Sequence, residues 1–205
     1  VSAASPLPAR ERAALIVVDM QNGFCLANGS CARVGLPVDL LKPSIEPCVR
    51  AVRAARRAGV PIVFTRYVYR ADFRDGGFLV NEKLPALRDE GALVAGSWDA
   101  DILAELTPQP GDFVLDKNRP SSFYATPLET WLHGLDARDL VVCGVTTNVC
   151  VETTVRDASQ RDYRTFVLQD AVAEYDPERH AASLKAMGML FAHLMNTADL
   201  ERAWS

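Results

Sequence analysis

Ala14-Leu15-Ile16-Val17-Val18-Asp19 sets five apolar residues in a row and ends them on a carboxylate. An unbroken apolar run of this length reads as a strand buried on both faces, as in a parallel sheet covered by helices. From Leu40 to Ala58 the apolar residues Leu41, Ile45, Val49, Val52 and Ala55 recur every three to four positions, and Gly59-Val60-Pro61 follows. That spacing predicts a helix with a glycine stop. Ile62–Thr65, Asp112–Asp116, Leu140–Gly144 and Tyr163–Leu168 read as further strands. Thr126-Pro127-Leu128-Glu129 has the form of a capping box with proline at the first helical position. Helices are also expected over Thr147 to Gln160, from the Asp176-Pro177-Glu178 cap through Leu190, and from Thr197 onward, with a sixth strand over Phe191 to Met195.

Strands and helices in alternation predict an α/β fold. The expected form is a doubly wound, mostly parallel six-stranded sheet with helices on both faces, a three-layer, Rossmann-like sandwich. No internal repeat, low-complexity tract or linker divides the chain, so residues 1–205 are expected to form a single domain. In such sheets ligands meet the carboxyl ends of the strands. The stretch from Tyr67 to Trp98 is too long for a plain connection, and loops of that length are often functional.

Composition narrows the function classes. At 205 residues and 49% hydrophobic, the chain can bury a core without disulfide or metal staples. It has 22 basic against 26 acidic residues, a net charge of −4, which argues against a nucleic-acid or anionic-membrane partner. No apolar run approaches the roughly 18–20 residues of a membrane span. Val1 to Arg12 shows no charged segment followed by an apolar one, so no signal peptide is read there. The five cysteines, Cys25, Cys31, Cys48, Cys143 and Cys150, are odd in number and include no CxxC pair. A disulfide framework or zinc knuckle is not indicated, and a reducing, cytoplasmic setting is expected.

The strand ends hold the candidate chemistry. Cys150 lies six residues past the fourth strand at the start of a helix, where backbone N–H groups and partial positive charge favour a thiolate and an oxyanion. Asp19 ends the first strand, where a carboxylate can take a proton from a thiol. Lys117 ends the third, where an ammonium can lower a thiol pKa and keep a carboxylate ionised. Each alone also reads as an ordinary structural or surface residue. A parallel sheet brings all three to one edge. Cys25, Cys31, Cys48 and Cys143 are expected to be structural.

Three segments carry a resemblance: Val17-Val18-Asp19-Met20-Gln21-Asn22-Gly23-Phe24, Lys117 with Ser122-Phe123 and Thr126 behind it, and Cys143-Gly144-Val145-Thr146-Thr147-Asn148-Val149-Cys150-Val151. Together they resemble the isochorismatase-like cysteine hydrolases over nearly the whole chain. The resemblance implies a Cys-Asp-Lys triad at Cys150, Asp19 and Lys117. It also implies a cis peptide between Val145 and Thr146, with the N–H groups of Thr146 and Cys150 forming an oxyanion hole. True isochorismatases lack the nucleophilic cysteine that stands here at Cys150. Nicotinamidases place an Asp-x-His metal motif after the second strand, where this chain reads Thr65-Arg66-Tyr67-Val68-Tyr69-Arg70-Ala71-Asp72. His133, His180 and His193 are scattered, so no metal or other cofactor is expected. Gly96-Ser97-Trp98-Asp99, Glu105-Leu106 with Pro108-Gln109-Pro110-Gly111-Asp112, and Thr146 to Glu152 are similar to ureidoacrylate amidohydrolases. N-carbamoylsarcosine amidases share the same core. Thr65 to Asp72 departs from the ureidoacrylate pattern.

The expected activity is hydrolysis of a C–N bond in a small amide, ureido or carbamoyl substrate through a covalent intermediate on Cys150. Lactam opening of the streptothricin hydrolase type and nicotinamide hydrolysis are alternatives. Outside catalysis, the alternatives are a nucleotide binder, which lacks GxGxxG after the first strand, and a silent, family-shaped interaction protein. Gln21, Asn22, Phe24, Trp98, Phe123, Tyr124 and Asn148 are candidate substrate contacts. Arg66, Arg70, Arg74 and Arg119 are candidate carboxylate partners. The partners expected are a small molecule and further copies of this chain, as a dimer or tetramer, with no nucleic acid and no membrane.

Overall fold

Each apolar run becomes a strand of one sheet because both of its faces find a helical layer. The computed structural model describes residues 6–205, so the first five residues of the stretch read for a leader, and of the expected domain, lie outside the described residues. The elements run β1 (Ala13–Val18), α1 (Asn22–Cys25), α2 (Ser30–Arg33), α3 (Ile45–Ala58), β2 (Ile62–Tyr67), α4 (Ala86–Asp89) and β3 (Phe113–Lys117). They continue through α5 (Leu128–Gly134), β4 (Asp139–Val145), α6 (Glu152–Ser159), β5 (Arg164–Ala173), α7 (Pro177–Leu190), β6 (His193–Met195) and α8 (Thr197–Ala203). The six strands lie in the order β3-β2-β1-β4-β5-β6, and every pairing is parallel. This is the doubly wound fold the alternation predicts.

Alternation along β1 divides the core. Ala14, Ile16 and Val18 pack in one cluster with Leu128 and Leu132 of α5, Val155 of α6 and Met187 of α7. Ala13, Leu15 and Val17 pack in the other with Cys48, Val49, Val52 and Ala55 of α3 and Leu200 of α8. The chain order turns back between β1 and β4, so the crevice at the switch point opens beside the residues that follow these two strands.

Local departures from the sequence reading have physical causes. The expected helix from Leu40 is a 3₁₀ segment over Val38–Ser44 followed by α3. Pro43 and Pro47 lack N–H groups, and proline is accommodated only in a helix's first turn. Gly59, at φ +69°, closes α3 as expected. Thr147 to Gln160 is a π-helical turn (Thr147–Val151) continued by α6. At α5 the reciprocal capping box does not form. Thr126 Oγ1 donates to Ser122 O at 2.6 Å and accepts from Leu128 N at 3.3 Å. Asp176 caps α7 by accepting from Arg179 N at 2.8 Å. β3 sits one residue later than read and β6 begins only at His193, because Phe191 still closes α7. No helix among the described residues is long and apolar enough to cross a membrane.

Candidate active site

Three strand ends converge as the fold class requires. Asp19 directly follows β1 at φ +50°, a left-handed conformation uncommon for a non-glycine residue and concentrated at functional sites. Its backbone N–H donates to Thr65 O at 3.2 Å and to Thr65 Oγ1 at 3.1 Å. Thr65 Oγ1 in turn donates to Asp19 Oδ1 at 2.6 Å. The other carboxylate oxygen, Oδ2, accepts from Lys117 Nζ at 2.6 Å. Both side chains are fully buried. Lys117 Nζ also donates to Arg119 O at 3.2 Å and stands 4.4 Å from the centre of the Tyr67 ring. Burial works against the Lys117 ammonium, but the charges of Asp19 and Cys150 outweigh it and hold its pKa above the ordinary lysine value.

The turn after β4 brings in the thiol. Gly144 lies at φ +113°, and a Cβ there would stand 2.1 Å from Val18 O, so only glycine lets β4 pass this close to β1. The Val145–Thr146 peptide is cis. Thr146 O then accepts from the N–H groups of Val149 and Val151, each at 3.2 Å, and winds the turn that carries Cys150. Neighbouring elements fix that turn. Asn148 N donates to Glu174 Oε2 at 3.3 Å, Ser183 Oγ donates to Thr147 O at 3.3 Å, and Thr147 Oγ1 lies 2.9 Å from His180 Nδ1. Burial pushes the Cys150 thiol well above its ordinary pKa. Lys117 pulls it down, and Asp19 pushes it up through charge and hydrogen bonding. The thiol thus sits against the buried Asp19–Lys117 pair, with burial and Asp19 raising its pKa and Lys117 opposing them.

Cys150 borders a cavity of about 300 Å³ with Thr146, Asn148, Phe24, Tyr67 and Tyr69 around it and Leu36, Leu79, Leu84, Leu87 and Leu93 on the walls. Of the substrate contacts expected from sequence, Phe24 and Asn148 line this cavity. The other five do not. Gln21 spends its amide on backbone, donating to Tyr67 O (3.0 Å) and Ala100 O (2.9 Å) and accepting from Tyr67 N (2.6 Å). Asn22 Nδ2 donates to Trp98 O at 2.8 Å. The Trp98 ring does not reach the cavity, and the residue is 46% exposed. Phe123 is buried against Tyr163, with the Arg161 guanidinium 4.8 Å from its ring centre. Tyr124 is exposed and borders a second hollow, lined also by Arg70, Lys117 and Tyr69, of which Tyr69 lines the first cavity as well. None of the four candidate arginines lines the Cys150 cavity. Arg66 pairs with Asp116, Arg70 and Arg74 lie against Asp72, and Arg119 donates to Asp75 O.

Sequence reasoning missed Thr65, Glu174 and the leucine walls. Thr65 had a usable signal, because it ends the read strand beside Asp19. The leucines had none, since a cavity wall and a core position share one side-chain chemistry.

A sequence model of the isochorismatase domain matches residues 13–199. The chain belongs to the isochorismatase-like hydrolase family. Within this family it is 36% identical to ureidoacrylate amidohydrolase RutB of Methylorubrum extorquens, over 93% of this chain and 82% of that one. It is 41% identical to the protein of the same name from Cronobacter turicensis, over 82% of this chain and 78% of that one. Among solved structures, a cysteine hydrolase from Pseudomonas syringae pv. phaseolicola superposes with a TM-score of 0.87 at 31% identity, covering 98% of both chains. N-carbamoylsarcosine amidase from Thermoplasma acidophilum superposes with a TM-score of 0.74 at 27% identity, covering 91% of this chain and 96% of that one.

Proposed function

We propose that this isochorismatase-like hydrolase is a cysteine-dependent amidohydrolase that cleaves a C–N bond of a small amide, ureido or carbamoyl substrate. One observation carries the reading: Cys150 borders the cavity and is acted on by the buried Asp19–Lys117 pair. The names of the amidohydrolase relatives support the same bond type.

In this reading Asp19 accepts the Cys150 proton as the sulfur attacks the substrate carbonyl carbon. The carbonyl oxygen gains negative charge, and the N–H groups of Thr146 and Cys150 are the donors assigned to it. The tetrahedral species collapses with C–N cleavage, and Asp19 passes its proton to the departing nitrogen. The acyl or carbamoyl group stays on sulfur. Water then gives a proton to Asp19 and attacks the same carbon. The C–S bond breaks, and the proton returns to sulfur. Lys117 keeps one positive charge beside the carboxylate and the developing thiolate throughout. No step calls on a metal. Cytoplasmic residence and a homo-oligomer belong to the same proposal.

Ammonia release from a panel of amides, ureides and carbamoyl compounds tests it. The wild type should release ammonia from at least one, and Cys150→Ala from none. Release by both proteins at equal rates would overturn the cysteine mechanism.

A further inference from the structure

We infer that the cavity beside Cys150 selects an uncharged amide or ureide with an apolar arm, and rejects substrates that carry a carboxylate. The inference rests on the amidohydrolase reading for its reacting bond, but its evidence is the cavity wall. Leu79, Leu84, Leu87 and Leu93 all come from the long segment between β2 and β3, and Leu36, three residues past α2, lines the cavity with them. The segment is tied in place by one of its own carboxyl groups, both to itself and to α2. Asp99, itself buried, accepts from Leu93 N at 2.8 Å, from Ser30 N at 2.8 Å and from Ser30 Oγ at 2.6 Å. A leucine wall held this way offers an apolar arm van der Waals contact and gives a carboxylate nothing in place of water.

The charges in the cavity point the same way. Among the described residues Arg179 is the one cation that lines it, and its guanidinium is already paired with Glu174 at 3.5 Å and Asp176 at 3.7 Å. Glu174 lines the cavity too, with its side chain buried, so a second carboxylate there would meet a like charge.

Two polar atoms are left for the reacting group. Among the described residues Asn148 Oδ1 and Tyr69 Oη are buried without hydrogen-bond partners, and both residues line the cavity with Cys150. A buried polar atom left unpaired is costly, so both suit a ligand that pairs them. The amide oxygen accepts an N–H, and the phenol donates to a carbonyl. An amide or ureide head presents both groups, and neither calls for charge. Apolar cavities of about 150 Å³ take a benzene ring. At about 300 Å³ this one has room for a branched or cyclic arm as well as the head.

Two isosteric pairs isolate the charge: 4-methylpentanamide against succinamate, and 3-methylbutylurea against 3-ureidopropionate. In each pair an isopropyl group is exchanged for a carboxylate. Binding is measured by calorimetry on Cys150→Ala, or on Cys150→Ser should the alanine variant fail to fold, so that no turnover intervenes. The apolar member of each pair should bind tighter by about tenfold or more. Equal or tighter binding of the carboxylates, or no binding of the apolar members, overturns the inference. Ammonia release from the same compounds by the wild type reports separately on the reaction. An apolar binding preference with no turnover of any of the four would count against the amidohydrolase reading alone.

Discussion

Asp19 Oδ2 accepts a hydrogen bond from Lys117 Nζ at 2.6 Å, and neither side chain has any exposed surface. The two residues follow β1 and end β3, strands that are not neighbours. β2 lies between them and completes the arrangement, with Thr65 bonded to the second Asp19 oxygen and the Tyr67 ring beside the ammonium. An ion pair taken out of water holds only while both partners are present, and removing one costs about 3–5 kcal/mol.

Lys117→Met tests what the ammonium does for the thiol. Burial raises the Cys150 pKa and Lys117 lowers it, so loss of the charge should push the thiol higher still. Alkylation of Cys150 by iodoacetamide, followed by peptide mass across pH, should show the variant's profile displaced to higher pH. In steady state, kcat should fall far more than KM rises. Superimposable alkylation profiles would contradict the electrostatic role.

Thr65→Val keeps the shape of the side chain and removes the hydroxyl that donates to Asp19 Oδ1. Hydrogen bonds to a charged group contribute about 1.5–3 kcal/mol. Because Asp19, the proposed proton acceptor, is then less firmly aimed, kcat should drop by about tenfold or more, roughly 1.4 kcal/mol of barrier. Thr65→Ser should recover most of it. Kinetics of the three proteins, with urea melts to separate stability from rate, decide the matter. A valine variant with wild-type kcat would remove Thr65 from the site.

The parts of the site that sequence reasoning reaches are those fixed by local order. An apolar run that stops on Asp19, a strand that stops at Lys117 and an apolar strand through Gly144 that ends six residues before Cys150 all signal their place at the sheet edge, and parallel order does the rest. The cavity wall is not legible this way. Leu79, Leu84, Leu87 and Leu93 follow no helical or strand period, and tertiary placement alone turns them toward Cys150. Gln21 and Asn22 stand next to Asp19 in the chain, yet their amides point to the backbone of Tyr67, Ala100 and Trp98. Adjacency in sequence therefore gave no orientation. The π-helical turn at Thr147–Val151 is equally hidden, because a period of 3.6 reads through it as ordinary helix.

Gly144→Ala should be among the most destabilising single changes in the core. The substitution combines a positive φ with a Cβ placed 2.1 Å from Val18 O, a backbone atom of the central strand that cannot rotate away. A loss of more than about 3 kcal/mol is expected in chemical denaturation, beyond the usual range for point changes. A variant as stable as wild type would mean that β4 and β1 lie farther apart than described.

Activity should survive exhaustive treatment with EDTA or phenanthroline. Among the described residues no histidine lines the cavity. His180 Nδ1 is engaged with Thr147 Oγ1, and His193 packs on Phe166. Loss of turnover on chelation, with recovery on added zinc, would instead require a metal-dependent site of the nicotinamidase kind.

The covalent role proposed for Cys150 is open to direct observation by mass spectrometry of a turnover mixture quenched in acid. The peptide carrying Cys150 should gain the mass of the substrate's acyl or carbamoyl group in the wild type, and Cys150→Ala should carry no such adduct and keep less than about a hundredth of the activity. An adduct on another residue, or an alanine variant that turns substrate over at the wild-type rate, would contradict nucleophilic catalysis by Cys150.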